Sequence, residues 1–244
     1  MDDERFGTVC REVIEESHEK KGIGTLNEKT LHAVLKNYIE PDRSRQEVPL
    51  LGYVADIFDG ERITEIQTRN FYGMKKKLAV FLDAYPVTVV YPVPRNKYIC
   101  WIDPATGEIS DRRKSPKKPH LQEMAHELIH ILPHLEHPNL TFRIMYVDVC
   151  DYRLKNGWDE TGKRGSERQE RIPEGYAGDI YISCIDDYRI FIPEDLPEEF
   201  TLKEYRKCAG VTEKCARRMI YILMKLDLLT RPRKEGRAYI YRRG

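Results

Sequence analysis

Apolar and polar residues follow two different periods along the first hundred residues of the chain. Residues 27–39 and 70–84 carry apolar side chains at helical spacing, so each stretch predicts an amphipathic helix. Between them, residues 47–58 and 62–68 are strand-like and meet at an Asp-Gly pair, which is typical of a tight hairpin. The pattern therefore predicts helices packed against a sheet.

Two further strand-like runs, 87–93 and 97–102, follow the second helix. If a bend at Gly52 divides the first strand-like run, the order of elements is α-β-β-β-α-β. We therefore predict an α/β fold whose core occupies residues 26–119, preceded by an N-terminal helical segment at 1–25.

The second half of the chain divides into two smaller regions. The basic segment RRKSPKKP at 112–119 contains two prolines and predicts a domain boundary. Residues 120–196 then predict a small α+β middle region, with a helix at 121–132 and a mobile polar loop at 155–171. An acidic, proline-containing stretch separates this region from a C-terminal module at 197–244.

Composition is that of a globular protein without a membrane segment. The chain has 244 residues, of which 41% are hydrophobic, which is enough for a sizeable core. Its longest apolar runs have the length of strands and fall short of the roughly 20 residues of a membrane helix. The charged start lacks the apolar region of a secretory signal, and the six cysteines form no CxxC pair. We expect a cytoplasmic protein with reduced thiols and no membrane partner.

The net charge of +1 averages two unlike parts of the chain. Residues 201–244 hold 13 basic and 4 acidic residues, a net charge of +9, so residues 1–200 carry −8. A basic module on an acidic body is typical of a nucleic-acid anchor joined to a separate working domain.

The predicted hairpin brings acidic side chains together. A two-residue turn at the Asp-Gly pair would place Asp56 opposite Ile63 and Val54 opposite Glu65. Because side chains alternate along a strand, Asp56, Glu65 and Gln67 would then project from one sheet face. The two acids would be diagonal neighbours roughly 7–8 Å apart, close enough for both carboxylates to bind one hard cation. The alternative is an ordinary hairpin with exposed acids.

The segment VADIFDGERITEIQT, with a helix before it and the α/β order after it, resembles the PD-(D/E)xK nuclease superfamily. The resemblance implies a restriction-endonuclease-like core that hydrolyses phosphodiester bonds with Mg²⁺, or Mn²⁺ in its place. It implies that Asp56 and Glu65 are metal ligands, with Glu28 completing the site, and that Gln67 stands where lysine is usual. In some members the next helix supplies the lysine, which here is Lys77 or Lys75.

The implied chemistry is activation of a water by the metal, while a lysine or Gln67 stabilises the charge that develops on the phosphate. A nuclease fold that has lost its chemistry and acts as a DNA-binding regulator is the main alternative. A homodimer is compatible with either reading.

A second motif competes with the acidic pair. Residues 126–130 read HELIH, and on a helix His126 and His130 would share one face beside Glu127, the signature of a zinc peptidase. The continuation places Pro133 and Glu136 where the longer zinc motif has glycine and histidine, so no third ligand is identified. The alternative is an amphipathic helix with histidines at its rim.

The C-terminal module resembles a winged helix-turn-helix. A helix at 202–209, a Gly-Val turn and a helix at 213–226 precede two strand-like runs that would form the wing. The basic residues expected to contact DNA, with RNA as an open alternative, are Lys214, Arg217, Arg218, Arg233, Lys234, Arg237, Arg242 and Arg243. Winged helices also serve protein contacts, and that reading stays open.

Overall fold

The computed structural model describes residues 2–20, 29–117, 119–155 and 167–244. Its main feature is a mixed sheet in the order β1-β2-β3-β4-β6-β7, with β5 paired to β4. Strands β3, β4 and β6 run parallel, whereas the pairs β1-β2, β2-β3, β4-β5 and β6-β7 are antiparallel. The chain is therefore an α/β protein, as the sequence predicted.

The helices and strands follow one another along the whole chain. The larger region contains α1 (Asp3–Lys20), α2 (Lys29–Ile39), β1 (Gln46–Leu50), β2 (Tyr53–Phe58), β3 (Ile63–Ile66), α3 (Phe71–Ala84), β4 (Val87–Ile102), β5 (Arg113–Lys114), α4 (Ala125–Leu128), β6 (Leu140–Leu154) and β7 (Arg168–Ile182). The C-terminal part contains β8 (Glu199–Thr201), α5 (Leu202–Ala209), α6 (Glu213–Lys225), β9 (Leu229–Glu235) and β10 (Ala238–Arg243). No helix among these described residues is both long enough and apolar enough to cross a membrane.

The sheet is covered on both faces, because alternate residues of its central strands enter different hydrophobic clusters. Val87 and Val89 of β4 belong to a cluster that contains α3, α4 and the C-terminal helices. Val90 belongs to a second cluster with α1 and α2. Helices α2 and α3 therefore pack on opposite sides of the sheet.

The bend expected at Gly52 is present, but the register predicted for the β2–β3 hairpin is wrong. Ile57 pairs with Thr64 and Phe58 with Ile63, so the loop has four residues rather than two. The cause is Asp59, whose carboxylate accepts hydrogen bonds from the N–H groups of Glu61 and Arg62 and stabilises the wider turn. The register moves by two residues, which leaves every side chain on its predicted face.

Strand pairing crosses the boundary predicted at residues 112–119. Strand β4 runs unbroken from Val87 to Ile102, with an irregularity between Pro94 and Lys97, and pairs with β6 along almost its whole length. Strand β7 begins at Arg168, so the end of the loop predicted at 155–171 is paired strand, and residues 156–166 lie outside the described part. One sheet thus joins the predicted core to the predicted middle region.

The single helix predicted over residues 121–132 is also wrong. A 3-10 turn at Leu121–Met124 leads into the four-residue helix α4, and a second 3-10 turn follows at Leu132–His134. Ile131, at φ −118° and ψ 19°, leaves the helical conformation before Pro133, whose missing N–H could not have donated to a continuing helix.

The C-terminal unit forms its own small sheet in the order β8-β10-β9, with α5 and α6 packed on it. Helix α5 begins at a capping box in which Thr201 and Glu204 exchange hydrogen bonds, and it ends at Gly210 in the left-handed conformation. The buried face of α6, which includes Met219 and Leu223, belongs to the same cluster as α3 and α4. The unit is therefore docked on the larger region through a shared core.

This shared core predicts that the two regions unfold together. Leu223→Ala should lower the free energy of unfolding by about 2–5 kcal/mol, because Leu223 is fully buried and its removal leaves a cavity. Trp101 lies in β4, so its fluorescence reports on the larger region. Trp158, the other tryptophan, also precedes the C-terminal unit in the chain. The denaturation midpoints from fluorescence and from far-UV circular dichroism should fall by the same amount.

The matched control is Lys225→Ala, which alters an exposed position of the same helix and should shift the midpoint little. A fluorescence midpoint unmoved by Leu223→Ala would show that the C-terminal unit folds separately.

Candidate active site

Strands β2 and β3 part immediately beyond their last backbone pair, and two carboxylates occupy the gap. In the observed register, Asp56 and Glu65 are the next opposed pair after Ile57 and Thr64. The Ile66 N–H donates to Asp56 Oδ2 at 2.7 Å, and the Asp56 N–H donates to Glu65 Oε1 at 3.2 Å. The two backbone N–H groups thus bind the carboxylates of Asp56 and Glu65 and do not form hydrogen bonds to the backbone of the opposite strand.

Lys77 is the lysine that reaches this pair. Its Nζ lies 2.5 Å from Glu65 Oε2, and the Lys77 side chain is only 19% exposed. Lys75 and Lys76, on the same helix α3, are exposed instead. Since Glu65 is 1% exposed, the Lys77 charge compensates a carboxylate that water cannot solvate.

His32 of α2 approaches the pair from the other side of the sheet. Its Nε2 lies 3.2 Å from Asp56 Oδ2. One turn later, Lys36 Nζ contacts Glu47 Oε1 at 2.5 Å, and Glu47 is close enough to feel the charges of Asp56 and His32. The sequence analysis did not identify His32, although its position on the polar side of the predicted helix was a usable signal. Glu28, the acid suggested by the resemblance, lies outside the described residues.

Burial and charge push the pKa values of the two acids in opposite directions. Burial and the neighbouring charge of Asp56 raise the pKa of Glu65 to about 7, against the opposing effect of Lys77. Burial alone would raise the pKa of Asp56, but the hydrogen bond and charge of His32 and the Ile66 N–H outweigh it and hold that pKa below its ordinary value. Near neutral pH, Asp56 is therefore ionised while Glu65 is close to its titration midpoint.

The chemistry of these donors fits a hard divalent cation. Carboxylate oxygens are the ligands that Mg²⁺ prefers, and Mg²⁺ is commonly held by one or two carboxylates together with waters and substrate phosphates. Among the described residues, no group of three or more His, Cys, Asp or Glu side chains forms a ready-made metal cage. Asp56 and Glu65 thus offer two carboxylates, of which the Asp56 side chain is 18% exposed and Glu65 is buried.

Gln67 follows directly after β3. Its N–H donates to Val90 O at 2.9 Å, which continues the parallel ladder with β4. By the alternation of the strand, the Gln67 side chain lies on the same side of the sheet as Glu65.

His126, Glu127 and His130, the side chains that define the HELIH motif, contact three different residues. Glu127 Oε2 accepts a hydrogen bond from the Phe71 N–H at 2.8 Å and so caps the N-terminus of α3. His126 Nδ1 lies 2.8 Å from a guanidinium nitrogen of Arg218, and the His130 ring contacts Tyr72 edge-on at 5.7 Å. This arrangement favours a structural role for the motif.

The basic residues predicted to bind DNA fall into two groups. Four are held by the protein itself: Arg218 by His126, Arg233 and Arg242 by Glu199, and Arg243 by the carbonyls of Pro193, Glu194 and Leu196. The other four point to solvent: Lys214, Arg217, Lys234 and Arg237, although Arg217 also pairs with Glu213 at 2.6 Å. Arg218, one of the residues expected to contact DNA, turns toward His126 of α4.

The raised pKa of Glu65 predicts a pH dependence of stability. Between pH 5 and pH 8, unfolded Glu65 is ionised while the folded residue still holds its proton at the lower end, so stability falls as the pH rises. Glu65→Gln cannot ionise and lacks this component. Urea titrations with chelator at pH 5 and pH 8 would give the free energy of unfolding at each pH. This free energy should fall by on the order of 2 kcal/mol more in the wild type than in Glu65→Gln, since one pKa unit corresponds to 1.36 kcal/mol.

Glu61→Gln is the matched control, because Glu61 is an exposed glutamate in the same hairpin, and this variant should follow the wild type. If the free energy of unfolding changes equally with pH in the wild type and in Glu65→Gln, the pKa of Glu65 is not raised.

Comparison with known proteins places the chain in a family. The family described as "Domain of unknown function (DUF8091)" matches residues 29–183, which run from the start of α2 to the first residue after β7 and include Asp56, Glu65 and Lys77. An uncharacterized protein of Treponema pallidum (strain Nichols) is 30% identical over 229 residues, covering 91% of this chain and 87% of that protein. No solved structure gives a significant match. Because the match spans more than half of its residues, the chain belongs to the DUF8091 family.

Proposed function

We propose that the protein is a divalent-metal-dependent nuclease that hydrolyses phosphodiester bonds in nucleic acid, with DNA as the expected substrate. The observation that carries the proposal is the Lys77 ammonium at 2.5 Å from a buried Glu65 that neighbours Asp56. Two acids and one lysine are the residue types that the likeness to PD-(D/E)xK nucleases requires. Gln67 stands at the position where the lysine is usual, and Lys77 of helix α3 would take the place of that lysine.

The order of elements supports the same proposal. Helix α2 is followed by β1, β2 and β3, then α3 and β4, which is the α-β-β-β-α-β order of the resemblance. Asp56 lies within β2 and Glu65 within β3, and Lys77 lies in the middle of α3. The three groups come from adjacent elements whose positions the sheet and its packing fix.

Asp56 and Glu65 are the residues that would hold Mg²⁺ or Mn²⁺. The bound metal would supply an acidified, oriented water and would neutralise charge on the phosphate. His32 and the Ile66 N–H both contact Asp56 Oδ2, which orients the carboxylate and leaves Oδ1 facing away from those donors. His32 is thus a positioning residue.

Lys77 has two roles in this proposal. Without substrate, its charge compensates Glu65. With substrate, its ammonium group would stabilise the negative charge that grows on the phosphate oxygens, since the Lys77 side chain is 19% exposed. Gln67 would add an amide donor from the same side of the sheet.

The C-terminal unit would serve as the nucleic-acid anchor, as a winged helix-turn-helix with α6 as its second helix and the β9–β10 hairpin as its wing. The exposed cations Lys214, Arg217, Lys234 and Arg237 support this role. Tyr239 adds a 44%-exposed aromatic ring on the hairpin, with the Arg231 guanidinium 4.4 Å from the ring centroid.

Cleavage assays on site variants test the proposal. With plasmid, linear duplex, single-stranded DNA and RNA as substrates, the wild type should cleave at least one in Mg²⁺ or Mn²⁺ and none in chelator. Asp56→Asn, Glu65→Gln and Lys77→Met should each lower the rate by about 10²-fold or more, because each removes a charge that acts on the reacting phosphate or its metal.

The matched control is Lys76→Met, which removes an exposed lysine next to Lys77 on the same helix and should leave the rate within about twofold. Undiminished cleavage by Asp56→Asn and Glu65→Gln would refute the site. Binding of DNA without cleavage under any condition would favour the regulator that lacks catalysis.

A double variant separates the nuclease from a zinc peptidase. His126→Ala with His130→Ala should leave metal-dependent cleavage of nucleic acid in place, since these histidines contact Arg218 and Tyr72 and lie apart from the acidic pair. Elemental analysis should find less than stoichiometric zinc in the wild type. One zinc per chain, lost in the double variant, would contradict the structural reading of HELIH.

A further inference from the structure

The basic segment that the sequence analysis treated as a linker is an ordered strand on the larger region. Arg113 and Lys114 form β5, which pairs with Ile99 and Tyr98 of β4. The path continues because the Ser115 N–H donates to Lys97 O at 2.8 Å. In a flexible linker these cations would have no fixed positions. Here the pairing of β5 with β4 fixes their backbone at the edge of the sheet.

The side chains of this strand face solvent. Arg113 and Lys114 are exposed, and neither forms an ion pair with an acid within the described ranges of the chain. The Arg113 guanidinium lies 5.4 Å from the Trp101 ring centroid. Lys117 is 69% exposed and pairs with Glu123 at 3.0 Å. Arg113 and Lys114 are neighbours on a strand, so their side chains leave opposite faces of the sheet. The segment therefore presents three exposed cations along the sheet edge, two of them without a paired acid, on a region whose net charge is negative.

The same segment leads directly to the first turn of α6. The His120 ring packs so tightly on Gly210, before α6, that a β-carbon there would lie 2.7 Å from His120 Cε1. The Cys215 thiol, in the first turn of α6, donates to Gln122 O at 3.1 Å, and the charge of Lys117 acts on that thiol. Lys117 thus lies beside the turn that carries Lys214.

We propose that Arg113 and Lys114 at the sheet edge, together with Lys117, Lys214 and Arg217, form a cationic path, the basic track, which binds the phosphate backbone of duplex DNA. The track deepens the proposed function by naming how its substrate is held, and it places part of the DNA contact on the larger region. A duplex backbone is a continuous row of negative charges, so it can meet cations along the whole path from β5 to α6.

The track changes the expected division of labour between the two regions. The +9 charge of residues 201–244 would by itself place the anchor entirely in the C-terminal unit. Because Arg218, Arg233, Arg242 and Arg243 are engaged internally, the exposed cations of β5 add to the charge that a phosphate backbone meets. Nucleic acid would then bridge the C-terminal unit and the body that holds Asp56 and Glu65.

Salt-dependent binding of the full chain tests the track. Fluorescence anisotropy with a labelled duplex of about 30 base pairs, in chelator to prevent cleavage, would give the affinity over a range of salt concentrations. Arg113→Glu with Lys114→Glu should weaken binding by about tenfold or more. It should also reduce the log–log salt slope by roughly two units, since each lost phosphate contact contributes about 0.9.

The matched control is Arg11→Glu with Arg43→Glu, which changes the net charge equally at exposed positions on the α1–α2 side of the sheet. It should leave the slope unchanged. If Arg113→Glu with Lys114→Glu shows a disturbed circular dichroism spectrum, the neutral pair Arg113→Gln with Lys114→Gln replaces it, with an expected slope change of the same sign.

A third double variant distinguishes the track from the proposed anchor. Lys214→Glu with Arg217→Glu should reduce the slope by a similar amount, and the four changes together should reduce it additively. If only this C-terminal pair matters, the anchor stands and the track is refuted. If the β5 pair matters in a protein that never cleaves, the track stands and the nuclease is refuted.

Two further outcomes would overturn the track. Equal losses from the β5 pair and the Arg11 and Arg43 control would mean that net charge alone attracts DNA. Binding to vesicles rich in phosphatidylserine, with no binding to duplex DNA, would assign the surface to a membrane.

Discussion

The rest of the site depends on how the protein buries two carboxylates where β2 and β3 separate. Taking an ionised acid out of water costs several kcal/mol unless hydrogen bonds and an opposite charge replace the solvent. Here backbone N–H groups contact Asp56 and Glu65, His32 contacts Asp56, and Lys77 contacts Glu65. Because His32 and Lys77 lie on helices from opposite faces of the sheet, the acidic gap links both hydrophobic clusters. The raised pKa of Glu65 shows that the compensation is incomplete.

The short segment around α4 connects that gap to the C-terminal unit. Glu127 caps the helix that carries Lys77, while His126 contacts Arg218 of α6. A second contact joins the unit to the larger region, because Tyr205 of α5 donates a hydrogen bond to Phe191 O at 2.6 Å. A motif that resembles a zinc site thus serves as a packing element, and it holds the lysine-bearing helix in a fixed relation to the exposed face of α6.

Local patterns predicted the elements of this fold better than their partners. The α-β-β-β-α-β order followed from periodicity together with the turns at Gly52 and at the Asp59-Gly60 pair. The shared face of Asp56 and Glu65 survived the register error because a shift of two residues preserves alternation. His32 was missed because its role depends on α2 packing beside the gap, which is a contact between distant parts of the chain. The strand at Arg113 and Lys114 was missed because two residues are too few to show any period.

The count of basic residues in the sequence also does not predict which of their charges are available to a ligand. Counting residues separates a basic C-terminal part from an acidic body, but opposite charges on two docked regions attract and partly neutralise each other. Glu199 pairs with Arg233 and Arg242, and Arg243 binds backbone carbonyls, so these arginines fasten the C-terminal part to itself and to the larger region. Arg233 and Arg242 are still about half exposed, but Glu199 offsets part of their charge. Since tertiary packing decides which cations are paired with acids, two chains with the same count of basic residues could present very different surfaces to nucleic acid.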